Sequence, residues 1–385
     1  MVAPKLRFKE FDGDYLELKY DKFAPLQRGF DLPVSTIVDG DFPVVFSNGI
    51  LKKHNEFKAK APGVVTGRSG TIGNITWVEK DYWPHNTSLW VTNFFGNEPK
   101  YIFYFLQEFD VSRFASGSGV PTLNRNDVHA QLINIPNNKE EQTKIAAFLS
   151  AVDEKISQLT QKHALLSQYK QGMMQKLFSQ QLRFKADDGS EFGEWEEKIL
   201  KDLFPKIRNG FVGVATPYYV NYGVKYLQGK NIKNGKIDAT GLIFINQEFH
   251  QKKTNSILKT NDILMVQSGH VGECAVVTED YDNANCHALL VLSPKSSKLI
   301  NSKFVVYYFY SEIGKKKIAL IKTGNTIEHI LASDIKEVAL LFPCLAEQTK
   351  IANFLSAIDQ KIEVVVQQIE QAKTWKKGLL QQMFV

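Results

Sequence analysis

The residues of this chain whose types and spacing could do chemistry suit recognition better than catalysis. Arg68-Ser-Gly-Thr-Ile-Gly73 and Gln267-Ser-Gly-His-Val-Gly272 each set a long polar side chain ahead of a short glycine turn, and each lies between two apolar runs. Arginine can grip a guanine edge with two hydrogen bonds and glutamine an adenine edge, while glycine lets backbone amides approach phosphate. Arg68, Ser69, Thr71 and Asn74 are therefore candidate DNA contacts in the first half of the chain, and Gln267, Ser268 and His270 in the second. A second polar turn stands at corresponding places, with Ser116 and Ser118 in one half and Lys322, Thr323 and Asn325 in the other. Lys315 and Lys316, in a run of three lysines, could clamp phosphate. The plainer readings are strand turns and, for the lysines, a solvated helix face.

Catalytic patterns are missing. Thr66-Gly-Arg-Ser-Gly-Thr-Ile-Gly73 has the glycines of a nucleotide phosphate loop but not its lysine or its spacing. No Pro-Pro occurs, so the motif of DNA amino-methyltransferases is absent, and Gly117-Ser-Gly119 runs into Val120-Pro121 where a dinucleotide fingerprint would continue. Glu17-Leu-Lys19 and Glu196-Glu-Lys198 match only a fragment of a nuclease carboxylate cluster. His270, Cys274, Cys286 and His287 lack a Cys-x-x-Cys pair, and the adjacent Cys286 and His287 would face opposite sides of a strand. Neither a catalytic residue nor a metal site is expected.

The elements that hold these turns are announced by a repeat. Glu141-Gln-Thr-Lys-Ile-Ala-Ala-Phe-Leu-Ser-Ala-Val-Asp-Glu-Lys-Ile156 returns 206 residues later as Glu347-Gln-Thr-Lys-Ile-Ala-Asn-Phe-Leu-Ser-Ala-Ile-Asp-Gln-Lys-Ile362, identical at 13 of 16 positions. Ile145, Leu149, Val152, Ile156, Leu159, His163, Leu166, Lys170, Met173 and Leu177 follow at alternating steps of four and three, as do Ile351 to Met383 in the second copy. That period is a coiled-coil seam, so each copy is predicted to be one long helix, a rod of roughly 58 Å, and each needs a partner, most simply the other copy. His163 in this seam reads as packed rather than as a ligand. Leu182-Arg-Phe-Lys185, after the first helix, recurs as Leu6-Arg-Phe-Lys9 at the start of the chain. The repeat is therefore cyclic, which predicts termini close together and a pseudo-two-fold relation between antiparallel helices.

Short apolar runs such as Gly63–Val65, Asn74–Val78 and Ser88–Val91, with Leu242–Ile245, Asp262–Val266, Cys274–Val277 and Ala288–Leu292 in the second half, read as strands between turns. Tyr101–Leu106 and Phe304–Phe309 read as buried helices. Each globular region is expected to be α+β, built on a twisted sheet or small barrel. At 385 residues and 43% hydrophobic, the chain can bury two cores. It has no run long enough for a membrane span, and three cysteines suit a reducing cytoplasm. A net charge of +6 permits a nucleic-acid partner without requiring one.

The doubled Glu-Gln-x-Lys-Ile-Ala-x-Phe-Leu-Ser-x-[Val/Ile]-Asp-x-Lys-Ile, entered through Ile135-Pro136 and Phe342-Pro343, resembles the specificity subunits of type I restriction-modification enzymes over the full length. Leu-Arg-Phe-Lys followed by Phe192-Gly-Glu-Trp195 is also typical of that family, while the first half has the looser Phe11-Asp-Gly-Asp-Tyr15. The resemblance implies two target recognition domains, 1–138 and 181–344, each followed by a conserved helix, 139–180 and 345–385. It implies a non-catalytic cytoplasmic chain that binds duplex DNA at a bipartite target, with the helices fixing the gap between half-sites. It further implies a complex with two methyltransferase subunits, which bind S-adenosylmethionine, and with restriction subunits that use ATP and magnesium. Docking surfaces for the methyltransferases, or the helix–helix contact itself, would fall on Gln142, Ile145, Phe148, Leu149 and Lys170 and on Gln348, Ile351, Phe354, Leu355 and Lys376. The rival reading is a coiled-coil scaffold that binds no nucleic acid.

Overall fold

The structure, a computed structural model, describes residues 4–117, 119–324 and 328–385, so the candidates Ser118 and Asn325 lie outside the described residues. Both repeats are single helices, Lys139–Phe178 and Leu345–Met383. Seam positions along both helices are buried or half-buried, and none is exposed.

The chain divides into two compact units, one made of Met1–Lys162 with Val365–Val385 and the other of His163–Val364. The long helices begin at the expected residues, 139 and 345, and each is shared between the two units. In the first unit Ile145, Leu149 and Val152 join Leu379, Leu380, Met383 and Phe384 in one core with Tyr101 and Phe105. In the second, Ile351, Leu355 and Ile358 join Met174, Leu177 and Phe178 with Phe304 and Tyr308. The beginning of one helix meets the end of the other each time, which is antiparallel pairing. The apolar stripe is thus wider than a coiled-coil seam: its first turns complete a globular core as well as meeting a helix.

Each unit repeats the same sheets. A four-stranded antiparallel sheet runs Leu26–Arg28, Ser88–Val91, Gly63–Gly67, Ile75–Val78 in the first unit, and Lys206–Asn209, Leu289–Ser293, Ile263–Val266, Cys274–Val276 in the second. A smaller mixed sheet (Gly49–His54, Phe42–Phe46, Trp83–Pro84) corresponds to Tyr219–Val220, Ile243–Ile245, Val224–Leu227 and Asn285–Cys286. Among the described residues all sheets are open, so the barrel alternative falls away. The strand pairs Tyr15–Lys19 with Leu132–Pro136, and Glu196–Ile199 with Ala339–Phe342, lead into the long helices. The expected buried helices are Pro99–Phe109 and Ser302–Tyr310.

The cyclic character is visible in single hydrogen bonds. After the first helix, Leu182 N–H donates to Lys176 O at 3.1 Å; after the second, the same cap is made by the start of the chain, Leu6 N–H donating to Gln382 O at 2.8 Å. The arginine that follows each leucine clamps the start of a long helix. Arg7 donates Nε and Nη2 to the two oxygens of Glu141 at 2.7 and 2.8 Å, and Arg183 does the same to Glu347 at 3.1 and 2.8 Å. Each guanidinium also holds a loop carbonyl, Gly13 O at 2.7 Å and Gly193 O at 2.6 Å. The phenylalanine that follows stacks edge-on against the repeat, Phe8 on Phe148 and Phe184 on Phe354.

Both carboxylates are buried, Glu141 2% and Glu347 0% exposed, so each depends on its arginine. Removing one partner of a buried pair strands the other charge, which costs about 3 kcal/mol or more. Arg183→Ala is therefore expected to lower the unfolding free energy in urea by about 3 kcal/mol, although Trp195 Nε1 still donates to Glu347 at 3.0 Å. A loss below about 1 kcal/mol would show that the clamp is dispensable.

Candidate nucleic-acid interface

Three loops converge at one end of each four-stranded sheet. In the first unit the register Arg28–Leu89 and Gly67–Ser88 brings Gly29, Arg68 and Thr87 to the same edge. In the second, Asn209–Leu290 and Val266–Leu289 do the same for Gly210, Gln267 and Ala288. The strand ending there closes on a glycine because backbone passes too near for a side chain. A Cβ on Gly29 would lie 2.2 Å from His85 O, and one on Gly210 would lie 2.6 Å from Cys286 Sγ. Phe30 and Phe211, next in line, form equivalent parallel bridges to His85 and His287.

The two polar turns expected in each half are brought together. Arg68 and Ser69 donate their backbone N–H groups to Thr87 O at 2.9 and 3.2 Å, and Arg68 O accepts Leu123 N–H at 2.8 Å, so Ser69 pairs with Thr122. In the second unit Gln267 O accepts Ile330 N–H at 3.0 Å, and Ser268 pairs with His329, which also pairs with Thr323. The glycines turn the chain with positive φ at Gly70 and Gly73 (+82° each) and at Gly269 and Gly272 (+84° and +95°). Thr71, Asn74, Ser116, Ser268, His270 and Thr323 are exposed, while Arg68, Ser69 and Gln267 are half-buried.

In the first unit the convergence leaves a cleft of about 580 Å³ lined by Gln27, Arg28, Arg68, Asn124, Arg125 and Asn126 among others. Three guanidinium groups thus stand around one concavity. Arg28 has only an exposed ion pair with Asp31 at 3.1 Å, which is worth little in water, and Arg68 and Arg125 have no ion pair among the described residues. Sequence reading missed Arg28 and Arg125. The available signal was the echo of Gln27-Arg-Gly-Phe30 in Arg208-Asn-Gly-Phe211, too short to weigh without the fold.

Other candidates fall elsewhere. Lys322 is tied to Glu328 at 2.8 Å. Lys315 lines a separate groove of about 860 Å³ with Lys303, Tyr307 and Tyr310, which contains none of the glycine-turn residues, and Lys316 is exposed on the same helix, Glu312–Leu320. Of the positions named for the methyltransferase or helix–helix interface, Gln142, Ile145, Leu149, Gln348, Ile351 and Leu355 are at most 2% exposed, and the four aliphatic ones lie in cores where one long helix meets the other. Phe148 and Phe354 are half-buried under Phe8 and Phe184, and the lysines are engaged within their own units. Lys376 meets Asp153 at 2.7 Å and Lys170 meets Asp359 at 2.6 Å, each ammonium lying 5.3 Å from a tyrosine ring centre, Tyr104 or Tyr307. Cys274 and Cys286 are buried and unpaired, and His287 Nδ1 bonds Tyr226. Among the described residues no helix is long and apolar enough to cross a membrane.

The two units thus carry sheet ends of one design, the first with arginine and the second with amide side chains at the corresponding positions. The chain belongs to the family of the type I restriction modification DNA specificity domain, whose model matches residues 21–168 and again 193–374. It is 28% identical over 291 residues to the type I restriction enzyme MjaVIII specificity subunit of Methanocaldococcus jannaschii, a match spanning 73% of this chain and 68% of that relative. Its fold is similar to the crystal structure of a type I restriction-modification S subunit from M. genitalium (TM-score 0.66, 15% identity, 100% of this chain and 99% of that one). A second solved chain, from work on complex assembly and conformational transition of the type I system, matches with TM-score 0.58 and 16% identity over 96% of this chain and 97% of the other. The function shared by the family, DNA sequence specificity in a type I restriction-modification system, is the function of this chain.

One histidine links two of the elements that carry the cleft arginines. His129 Nε2 accepts Leu26 N–H at 2.8 Å, joining the strand of Arg28 to the helix of Arg125. Burial first, then the Arg125 charge, lowers the basicity of His129 below its ordinary value. A group with a depressed folded value contributes stability that is complete above the ordinary histidine value of about 6.5 and is lost as pH falls through the lowered one. Unfolding free energies measured from pH 7.5 down to 5 are expected to fall less steeply in His129→Gln, which keeps an acceptor but does not titrate. Identical slopes in both proteins would remove His129 from this role.

Proposed function

We propose that the chain recognises a bipartite duplex site, the sheet end carrying Arg68 reading one half-site and that carrying Gln267 the other. The observation behind this reading is that the two glycine turns occupy equivalent places on equivalent sheets yet present different side chains, as two readers of different sequences would. The long helices set the unread gap. The chain performs no chemistry itself; it works with two methyltransferase subunits that use S-adenosylmethionine to modify adenine, and with restriction subunits driven by ATP and magnesium where cleavage occurs.

The methyltransferases dock on outward positions of the repeat. Ala151 and Lys155, with their counterparts Ala357 and Lys361, are identical in both copies and exposed, and neither lysine has an ion pair among the described residues. Identity without an internal partner is what a surface used twice by the same subunit would require. A scaffold that binds no nucleic acid gains no support from the family match and leaves the arginine cleft without a purpose.

Replacing residues 181–343 with those of another family member should change one half-site of the methylated target and leave the other and the gap intact. Arg68→Ala should relax a single base position in the unchanged half and weaken binding about tenfold, the loss of one bidentate base contact. Mapping methylated sites in cells carrying each variant checks both; a change in both halves would mean the units do not read independently.

A further inference from the structure

The two reading ends differ in a consistent direction. The residue before the close-packed glycine is Arg28 in the first unit and Asn209 in the second, and the residue opening the glycine turn is Arg68 against Gln267. The short helix beside each turn begins with Arg125 in one unit and Ala332 in the other. Three guanidinium groups are thus replaced by two amides and a methyl group.

The second unit has no arginine at these three positions, although the Lys253 ammonium lies 5.0 Å from the ring centre of Phe211, the residue after Gly210. Arg208, in the strand that ends at Asn209, is only 9% exposed and is used internally, with Nε donating to Asn255 O at 2.7 Å and Nη2 to Ile257 O at 2.9 Å and to Asp262 at 3.2 Å. Lys322 is paired with Glu328 at 2.8 Å. Directly after Gly210, by contrast, the chain exposes Val212 and Val214, 65% and 74% accessible.

Guanine offers O6 and N7 as paired acceptors that fit a guanidinium; adenine offers N6–H and N7, which fit an amide; and the thymine methyl favours an apolar contact. We infer that the first unit reads a half-site dominated by G·C pairs and the second a half-site dominated by A·T pairs, with Val212 and Val214 against thymine methyl groups. This rests on the reading of the two sheet ends as base-contacting surfaces, and it adds which bases each one takes.

The test uses the full chain in complex with its methyltransferase subunits. Methylated-site mapping gives the target, and exchange of residues 181–343 tells which half belongs to the second unit. Binding of the native complex is then measured on duplexes carrying 7-deazaguanine for guanine, or uracil for thymine, in one half at a time. Removal of guanine N7 from the first half-site is expected to weaken binding about tenfold, and removal of thymine methyls from the second by several-fold. Val212→Ser with Val214→Ser should abolish the response to uracil; because the base replacements are made in DNA, the native chain decides the matter even where that variant folds poorly.

A second half-site dominated by G·C pairs would overturn the inference, as would indifference of the first to 7-deazaguanine, which would put its arginines on phosphates. Either result would leave bipartite recognition standing. A complex that methylates no bipartite site would instead remove the reading on which the inference rests.

Discussion

The buried ion pair between an arginine outside each long helix and a glutamate in its first turn is the contact on which the rest of the architecture depends. Glu141 and Glu347 sit at a helix start, where the macrodipole favours negative charge, but in a site that water does not reach. A carboxylate there is tolerable only with a bidentate cation, and Arg7 and Arg183 supply it from segments that have just capped the other helix. One ion pair therefore ties the end of one helix to the start of its antiparallel neighbour. Leu6 and Arg7 make this tie in the first unit, and Leu182 and Arg183 make it in the second.

The neighbouring glutamine extends the constraint into each globular region. Gln142 donates to Asn97 Oδ1 and Pro136 O and accepts Glu98 N–H; Gln348 donates to Leu299 O and Pro343 O and accepts Asn301 N–H. Each thus fastens the strand that enters its helix and the start of a core helix to one side chain. Further along, Asp153 and Asp359 accept a tyrosine hydroxyl, from Tyr104 and Tyr307, as well as the seam lysine. The high identity of the repeat has a physical cause: Glu, Gln, Phe, Ser and Asp each meet a partner that is itself duplicated, and changing either side alone would strand a buried polar group. Of the three positions that differ, Ala147 against Asn353 and Glu154 against Gln360 are exposed, and Val152 against Ile358 exchanges one buried aliphatic side chain for another.

Much of this was legible in sequence because the relevant signals are periodic or repeated. The seam gave both helices to within a few residues, and the recurrence of Leu-Arg-Phe-Lys gave the cyclic closure. Periodicity cannot say what an apolar face packs against, however, so Ile145 and Leu355 read equally well as a surface for another chain and as a core. The sharing of each helix between two units was not legible for the same reason: a helix is continuous in sequence even where its two halves belong to different cores. Glycine turns were visible because glycine is rare at such density, whereas Arg28 and Arg125 acquire meaning only from strand register and from a helix that places them beside Arg68.

A constant frame with changeable readers requires that side chains at the reading end contribute little to folding. The geometry meets that requirement through the backbone. Gly29 and Gly210 donate their N–H groups to Ser88 O and Leu289 O, which holds the path of the strand whatever residue precedes them, and Arg68 and Gln267 are pinned through main-chain groups, N–H to Thr87 in one case and C=O to Ile330 in the other. The side chains at these positions are then free to differ, since their removal opens no cavity in either core. Arg208 marks the limit of this freedom. Its neighbour Asn209 is exposed, but its own guanidinium donates to Asn255 O, Ile257 O, Ser293 Oγ and Asp262, so one residue separates a position open to exchange from one that specifies the fold.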